Sequence, residues 1–292
     1  MSIIIDLFNL YPIFFLCFIF LLGSIIGSFL NVVILRLPVM MEQDWRQQCC
    51  ELLEINNTEI TENTSPFNLV VPRSQCPKCG HKISALENIP IISYLFLKGQ
   101  CKQCKNKISI RYPIIEFITG ITSVIVAFYF GVSIQTFFAL LLTWSLITLS
   151  MIDFEHQLLP DDITLPFLWL GITINIFGVF TNLESSVLGA IFGYGILWSV
   201  YILFKLITGK EGMGHGDFKL LAVLGAWFGW QILPLIIILS SLVGAIIGIA
   251  MILFMSHDKT IPIPFGPYLA IAGWVSMLWG PYMMSAYLNL VL

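Results

Sequence analysis

The feature that most constrains the fold of this chain is the length of its uncharged stretches. Residues 117–152 contain no charged side chain, whereas a helix needs only about 20 apolar residues to cross a bilayer. Charged residues make up 11% of the chain, against roughly 25% in ordinary soluble domains. The mean hydropathy is +0.90. These values exclude a water-soluble globular protein and predict an all-α polytopic membrane protein with one polar insertion, at residues 36–111.

About eight transmembrane helices are predicted. The stretch 117–152 is too long for one span, so we divide it at Gly131-Val132-Ser133, and we divide 220–254 at residues 231–234 for the same reason. The remaining spans are residues 7–35, 163–180, 187–207 and 268–287. The first half of 220–254 is short for a span.

The positions of the 14 lysine and arginine residues predict the orientation. With eight spans, and with Lys205 reaching towards the same side, all 14 fall in four connections, at residues 36–113, 153–162, 208–219 and 255–266. The basic side of a membrane protein faces the cytoplasm, so both termini are expected in the periplasm.

This topology divides the chain into three parts. We expect a first transmembrane helix at residues 1–35, a cytoplasmic domain at 36–112 and a seven-helix membrane domain at 113–292. Residues 47–66 are acidic and rich in Asn and Thr without a helical or strand period, which is typical of a loop.

Four of the seven cysteines form the pairs Cys76-Pro-Lys-Cys79 and Cys101-Lys-Gln-Cys104. Two such pairs can close a tetrahedral thiolate site around zinc, and disulfides are not expected in the reducing cytoplasm. Four thiolates leave no open coordination position, so the predicted zinc is structural. Reduced cysteines that only lie near one another are the alternative, and His81 is a further candidate ligand.

Two aspartates are the candidate catalytic residues. Asp153 directly follows an apolar run, and Asp217 ends the segment Gly212-Met-Gly-His-Gly-Asp217 just before the next one. The predicted topology places both at cytoplasmic ends of helices, where two close carboxylates can share a proton, activate water and protonate a leaving amine. For Asp153 an ordinary position at an interfacial helix end is the alternative.

Other polar groups near these helix ends have simpler interpretations. Asp161 and Asp162 are predicted N-caps of a helix that begins at Ile163. Glu155, His156 and His215 are interpreted as interfacial polar groups. For Glu116, pairing with Arg111 and a role in a functional site remain equally open.

Together these motifs resemble the type IV prepilin peptidase family. The resemblance rests on residues 27–38, the two cysteine pairs, the segment Arg111-Tyr-Pro-Ile-Ile-Glu116, the two aspartate motifs, and Pro264-Phe-Gly-Pro-Tyr-Leu-Ala270. It covers nearly the whole chain.

The resemblance implies two activities. Asp153 and Asp217 would be the two aspartates of a membrane peptidase that removes the basic leader of type IV prepilins and type II secretion pseudopilins after a glycine. The cysteine domain would be associated with N-methylation of the new terminus by S-adenosylmethionine, with Gly99 and Glu116 as candidate cofactor-site residues. The family is found in the bacterial inner membrane, and no nucleic acid is expected as a partner.

Two other classes of protein are considered. A transporter would use the aspartates as proton or cation relays, but transporter sites usually lie near the bilayer midplane rather than at an interface. A non-catalytic scaffold would need only the zinc domain.

Overall fold

The computed structural model describes residue 8 and residues 10–54, 67–84, 86–254 and 264–291. The chain divides into two compact units, Met1–Val132 and Ser133–Leu292. Regular structure in the described residues is helical, apart from two isolated β-bridges. The prediction of an all-α protein is confirmed.

The first unit is built on two packed helices, α1 (Pro12–Leu52) and α3 (Arg111–Phe130). Gly27 of α1 lies so close to α3 that a Cβ atom there would be 2.8 Å from the Glu116 Cα. Small residues permit this close approach of helices in lipid. Near the end of the contact, Asn31 Nδ2 donates to the Tyr112 carbonyl at 3.2 Å.

Helix α1 continues well beyond the predicted span end at residue 35. The predicted loop at residues 47–66 is therefore wrong for residues 47–52, which are helical. Pairs of polar side chains four residues apart, Arg46 with Glu42 and Gln47 with Glu51, support the helix in this solvent-exposed part. The rest of the predicted loop, from residue 55, lies outside the described residues.

A small cysteine-containing domain connects α1 and α3. It contains one turn of 3₁₀ helix (Leu86–Asn88), the short helix α2 (Ile92–Phe96) and bridges from Gln75 to Lys82 and from Gln100 to Lys107. The Arg36 guanidinium of α1 donates to the carbonyls of Asn68 and Pro72, at 2.8 and 2.7 Å. These bonds attach the beginning of the domain to α1.

In the part of the second unit that the structure describes there are six long helices. They are α4 (Ile134–His156), α5 (Asp161–Asn175), α6 (Leu183–Thr208), α7 (His215–Phe228), α8 (Leu233–Phe254) and α9 (Gly266–Val291). Both divisions of the long apolar stretches are confirmed, since a break at residues 131–133 separates α3 from α4 and a 3₁₀ turn, Trp230–Ile232, separates α7 from α8. Ser133 is the N-cap of α4, and its hydroxyl accepts the Thr136 N–H.

Helix α7 forms the core of the second unit, and ten of its residues are buried. The Trp227 indole N–H donates to the Phe167 carbonyl of α5 at 2.8 Å. The Asn175 amide donates to the carbonyls of Ala226 and Trp227, so the end of α5 holds the end of α7. A side chain on Gly189 of α6 would collide with the Gly225 backbone. These close contacts fix α7, and with it the residues at its first turn.

Within the described residues, five helices are long and apolar enough to span a membrane: Pro12–Leu52, Arg111–Phe130, Ile134–His156, Leu183–Thr208 and Trp230–Ala250. The chain is therefore a membrane protein, while the count of eight spans and the orientation of the termini stay predictions.

Candidate active site and metal centre

Asp153 lies in the last turn of α4 and is 6% exposed. The helix ends where Gln157 adopts the left-handed conformation (φ 54°) and its N–H donates to the Asp153 carbonyl at 2.9 Å. The Asp153 side chain accepts a different bond, because its Oδ2 lies 3.0 Å from the Gly266 N–H at the beginning of α9. The first N–H groups of a helix have no partner within the helix, and this carboxylate supplies one.

Asp217 lies in the first turn of α7 and is also 6% exposed. Gly214 precedes the helix as its N-cap, and the Asp217 N–H donates to the Gly214 carbonyl at 3.2 Å. Asp153 thus accepts a backbone N–H from a glycine at the start of α9, and Asp217 lies within the first turn of α7.

The second unit brings the two aspartates to one place. A Cβ atom on Gly266 would lie 2.6 Å from Asp153 Oδ2 and 3.3 Å from Leu159 Cδ1, while a Cβ on Gly216 would lie 2.7 Å from the same leucine's Cβ. Leu159 therefore separates the start of α7 from the start of α9. Asp153 and Asp217 lie close enough for an electrostatic interaction between their carboxyl groups. Two buried carboxylates in such an arrangement can share one proton.

The predicted N-caps at Asp161 and Asp162 are wrong. Helix α5 begins at Asp161 itself, after Pro160, and no side chain caps it. The Asp161 carboxylate instead accepts from Lys219 Nζ at 2.7 Å, an ion pair that connects α5 to α7 two residues beyond Asp217. Lys219 is 58 residues away in the sequence, so local sequence pattern could not have identified this pair.

The histidine before Asp217 is held by aromatic packing. The His215 ring lies against Tyr201 and Phe218, with centroid distances of 5.2 and 5.5 Å. This packing fits its interpretation as a polar group at the helix end.

The four cysteines of the first unit form a compact cluster. Their Sγ atoms all lie within 4.8 Å of one another, and the separations across the pairs are 3.8 Å from Cys76 to Cys104 and 4.0 Å from Cys79 to Cys101. A tetrahedron with zinc–sulfur bonds of about 2.3 Å has an edge of about 3.8 Å. The cluster therefore fits a tetrahedral thiolate-bound metal ion.

Backbone amides prepare Cys76 and Cys101 for this role. N–H groups of Cys79 and Lys78 donate to the Cys76 sulfur and lower its pKa from 9.0 to about 6. N–H groups of Cys104 and Gln103 lower the pKa of Cys101 in the same way. Thiolates are the metal-binding form of cysteine.

The two cysteine loops are copies of one local structure, a relationship that the cysteine spacing alone does not reveal. Residues 75–84 and 100–109 share the pattern Gln-Cys-x-x-Cys-x-x-Lys-Ile-Ser. In the first loop the Gly80 N–H donates to the Cys76 carbonyl, and in the second the Lys105 N–H donates to the Cys101 carbonyl. A comparison of the two segments would have revealed this 25-residue repeat.

The repeat explains the position of Gly99. Its carbonyl accepts the Ile108 N–H at 2.7 Å, the bond that Ser74 makes to Ile83 in the first loop. Gly99 has a φ of +67°, and a Cβ atom there would lie 2.9 Å from the Tyr94 hydroxyl. Glycine is thus needed at this position for the backbone to close the second loop.

Glu87 links the two cysteine loops. Its Oε2 lies 3.1 Å from His81 Nε2 and 3.0 Å from the Ser84 N–H, and its Oε1 lies 3.2 Å from Lys102 Nζ. Bonds from Ser84, Lys102 and His81 lower the pKa of Glu87 from 4.5 to about 2. His81 belongs to the first loop and Lys102 to the second, so one carboxylate holds both.

Glu116 is buried in α3, at 8% exposure, and its Oε2 accepts the Ile91 N–H at 2.7 Å. It therefore positions the chain just before α2. The structure gives Glu116 and Gly99 clear roles inside the first unit.

Comparison with known proteins is consistent with the two-unit division. Residues 21–130 match the family model of the bacterial peptidase A24 N-terminal domain, and residues 140–249 match that of the type IV leader peptidase family. No solved structure matches the chain.

Several curated relatives match over nearly their whole length, and each is named prepilin leader peptidase/N-methyltransferase. The relative from Stutzerimonas stutzeri is 56% identical over 278 residues, which is 95% of each chain. The relative from Pseudomonas aeruginosa is 53% identical over 98% of each chain, and the one from Legionella pneumophila is 44% identical over 96% of each.

Proposed function

Because the chain belongs to the type IV leader peptidase family, we propose that it removes the basic leader of type IV prepilins and methylates the new N-terminus. The observation that carries the peptidase assignment is the meeting of two buried aspartates, Asp153 and Asp217, at the ends of α4 and α7. The substrates are prepilins and type II secretion pseudopilins, in which the cut follows a glycine.

The aspartate pair acts as a general acid and base. One carboxylate takes a proton from water as the oxygen attacks the glycine carbonyl, and the protonated partner donates to the carbonyl oxygen. When the carbon–nitrogen bond breaks, a proton passes to the leaving amine. The Gly266 N–H holds the Asp153 carboxylate, so that this group faces the reacting bond in a fixed orientation.

The second reaction transfers a methyl group from S-adenosylmethionine to the amine that cleavage exposes. The amine must be neutral and aligned with the methyl donor. We assign this step to the cysteine-containing domain at residues 36–112. Gly99 and Glu116 support the step through the fold of that domain, given the backbone roles described above.

The metal in the cysteine cluster is zinc, held by Cys76, Cys79, Cys101 and Cys104. The sulfur separations and the amide-stabilised thiolates support this choice. Four thiolates fill the coordination shell, so the ion supplies folding energy to a small domain and no open site for chemistry. Elemental analysis of the freshly purified protein, with Cys76→Ser for comparison, tests the assignment; a metal content near zero in the wild type contradicts it.

We place the protein in the bacterial inner membrane. The distribution of all 14 basic residues supports eight spans, periplasmic termini, and an active site and zinc domain on the cytoplasmic side. Protease accessibility of tags at each terminus in intact spheroplasts tests the orientation.

Cleavage of a purified prepilin in detergent tests the aspartate assignment. Asp153→Asn and Asp217→Asn should each abolish cleavage, because either change removes a proton donor or acceptor without changing the shape of the side chain. Asp162→Asn, in the first turn of α5, is the matched control and should cleave normally.

Folding and the second activity are measured on the same samples. Each variant should elute from size-exclusion chromatography like the wild type and should still methylate pre-cleaved pilin. Normal cleavage by a folded Asp153→Asn or Asp217→Asn protein contradicts the proposal.

A further inference from the structure

The cysteine domain combines strong positive charge with one uncharged, apolar segment. Residues 67–111 contain a single acidic residue, Glu87, although the whole chain has a formal net charge of −3. Their basic residues are Arg73, Lys78, Lys82, Lys98, Lys102, Lys105, Lys107 and Arg111. Residues 88–97 carry no charge at all and include α2.

Helix α2 exposes its apolar side chains. Ile92, Leu95 and Phe96 are 47%, 69% and 84% exposed. Their spacing of three and four residues places them on one face of the helix, and together they line one surface recess. Contiguous exposed apolar side chains mark a surface that contacts another molecule or a membrane.

The bond between Ile91 and Glu116 sets the depth of this face. Glu116 lies five residues after Arg111, the first residue of α3, or about 7 Å along the helix axis. Its carboxylate accepts the N–H of Ile91, the residue that precedes α2. Helix α2 therefore begins beside the second turn of α3.

Helix α1 gives an independent measure of the membrane boundary. Its uncharged part ends at Leu35, directly before Arg36, the first basic residue of the chain. Asn31 contacts the carbonyl of Tyr112, in the first turn of α3. Because Asn31 lies one helical turn before Leu35, the hydrocarbon boundary falls near the first turn of α3, and α2, which begins beside the second turn, starts just inside it.

The backbone conformation of Ile91 indicates that the start of α2 is held in a defined position. Ile91 has a φ of +61°, a conformation that β-branched residues rarely adopt. The bond from its N–H to a buried carboxylate offsets this strain. A mobile loop would not require such a contact.

We propose that α2 anchors the cysteine domain to the membrane surface by inserting Ile92, Leu95 and Phe96 among the lipids while the surrounding lysines contact anionic headgroups. The six lysines of residues 67–111 are all exposed, and a basic surface with an apolar helix face is typical of interfacial membrane binding. A prepilin is the less suitable occupant, because its basic leader is repelled by the same lysines. This inference concerns the first unit and does not depend on the proposed peptidase activity.

Photo-crosslinking in vesicles of phosphatidylglycerol and phosphatidylethanolamine tests the contact. The full-length protein carries p-benzoylphenylalanine in place of Phe96, and lipid adducts are measured by mass spectrometry. The same probe at Phe128, which is 77% exposed on α3, sets the yield for a lipid-facing side chain. The same probe at Val70 is the control for a side chain in water within the same domain. Val70 is 79% exposed. Its neighbours Asn68 and Pro72 contact Arg36, which lies five residues beyond Asn31 on the water side of α1.

We expect a lipid-adduct yield at Phe96 close to that at Phe128 and several-fold above that at Val70. Crosslinks from Phe96 mainly to another part of this chain or to an added prepilin overturn the proposal, as does a yield equal to that at Val70.

Two further comparisons separate the apolar and electrostatic parts. Each lysine near an anionic surface raises binding about fivefold, so zwitterionic vesicles should lower the Phe96 yield more than the Phe128 yield. Glu116→Ala should also lower the Phe96 yield, whereas Glu116→Gln keeps an oxygen acceptor for Ile91 and should retain it. An unchanged Phe96 yield in folded Glu116→Ala contradicts the role of Glu116 in setting the depth.

Discussion

The replacement of Gly266 by alanine is the most direct test of how the aspartate pair is positioned. The Gly266 N–H donates to Asp153 Oδ2 at 3.0 Å, and a Cβ atom on this glycine would lie only 2.6 Å from the same oxygen. An ordinary van der Waals contact needs at least 3.4 Å. The carboxylate or the start of α9 must therefore move by about 0.8 Å, and the hydrogen bond is lost.

The size of the effect follows from this displacement. A hydrogen bond to a charged group contributes about 1.5–3 kcal/mol, and each 1.4 kcal/mol of activation free energy is about a tenfold change in rate. We expect kcat for prepilin cleavage to fall about 10- to 100-fold in Gly266→Ala, since a misplacement of about 1 Å has effects of this order. KM should change little, because the substitution displaces the Asp153 carboxylate, which the proposed mechanism uses in the chemical step.

Steady-state cleavage of a purified prepilin measures both constants. The matched control is Gly195→Ala in α6, where an added Cβ has no heavy atom within 4 Å, and this variant should keep its activity. Methylation of pre-cleaved pilin should be normal in both proteins. A folded Gly266→Ala protein with the wild-type kcat refutes the positioning role of the Gly266 amide.

Three other predictions concern the contacts described above. Gly99→Ala should lower zinc retention and N-methyl transfer more than Gly80→Ala does. Both glycines have a positive φ, but only at Gly99 would the added Cβ lie near another side chain, 2.9 Å from the Tyr94 hydroxyl. Equal losses of zinc in chelator competition contradict the prediction. Glu87→Gln should release zinc faster than the wild type. Because the pKa of Glu87 is lowered, its contribution to the stability of the domain is fully present above about pH 4.5 and lost as the pH falls towards 2. The difference in zinc release rate from the wild type should therefore be constant between pH 5 and 7, and a difference that varies over that range counts against the prediction. Asp161→Asn should lower the unfolding free energy by less than about 1 kcal/mol, because the partly exposed ion pair with Lys219 is screened by water. Thermal unfolding in detergent measures the change, and a much larger loss of stability argues for an additional role of Asp161.

Local patterns in the sequence were sufficient for the helical architecture. The signals for helices and their breaks depend on residues within one or two helical turns. The structure has breaks at Gly131-Val132-Ser133 and before Leu233, where these local signals predict them. The two cysteine pairs were equally readable, because four thiolates at this spacing have few other uses. The loop prediction failed at residues 47–52, where pairs of side chains along α1 extend the helix.

The contacts that position the functional groups depend on tertiary structure. Gly266 is 113 residues from Asp153, Ile91 is 25 residues from Glu116, and Lys219 is 58 residues from Asp161. In the first two contacts the donor is a backbone N–H, which every residue except proline possesses, so the residue type carries no signal of the partner. The sequence by itself determined the membrane class, the helices and the candidate residues, whereas only packing decided which amide faces which carboxylate, because such bonds form between groups that the helices bring together in space.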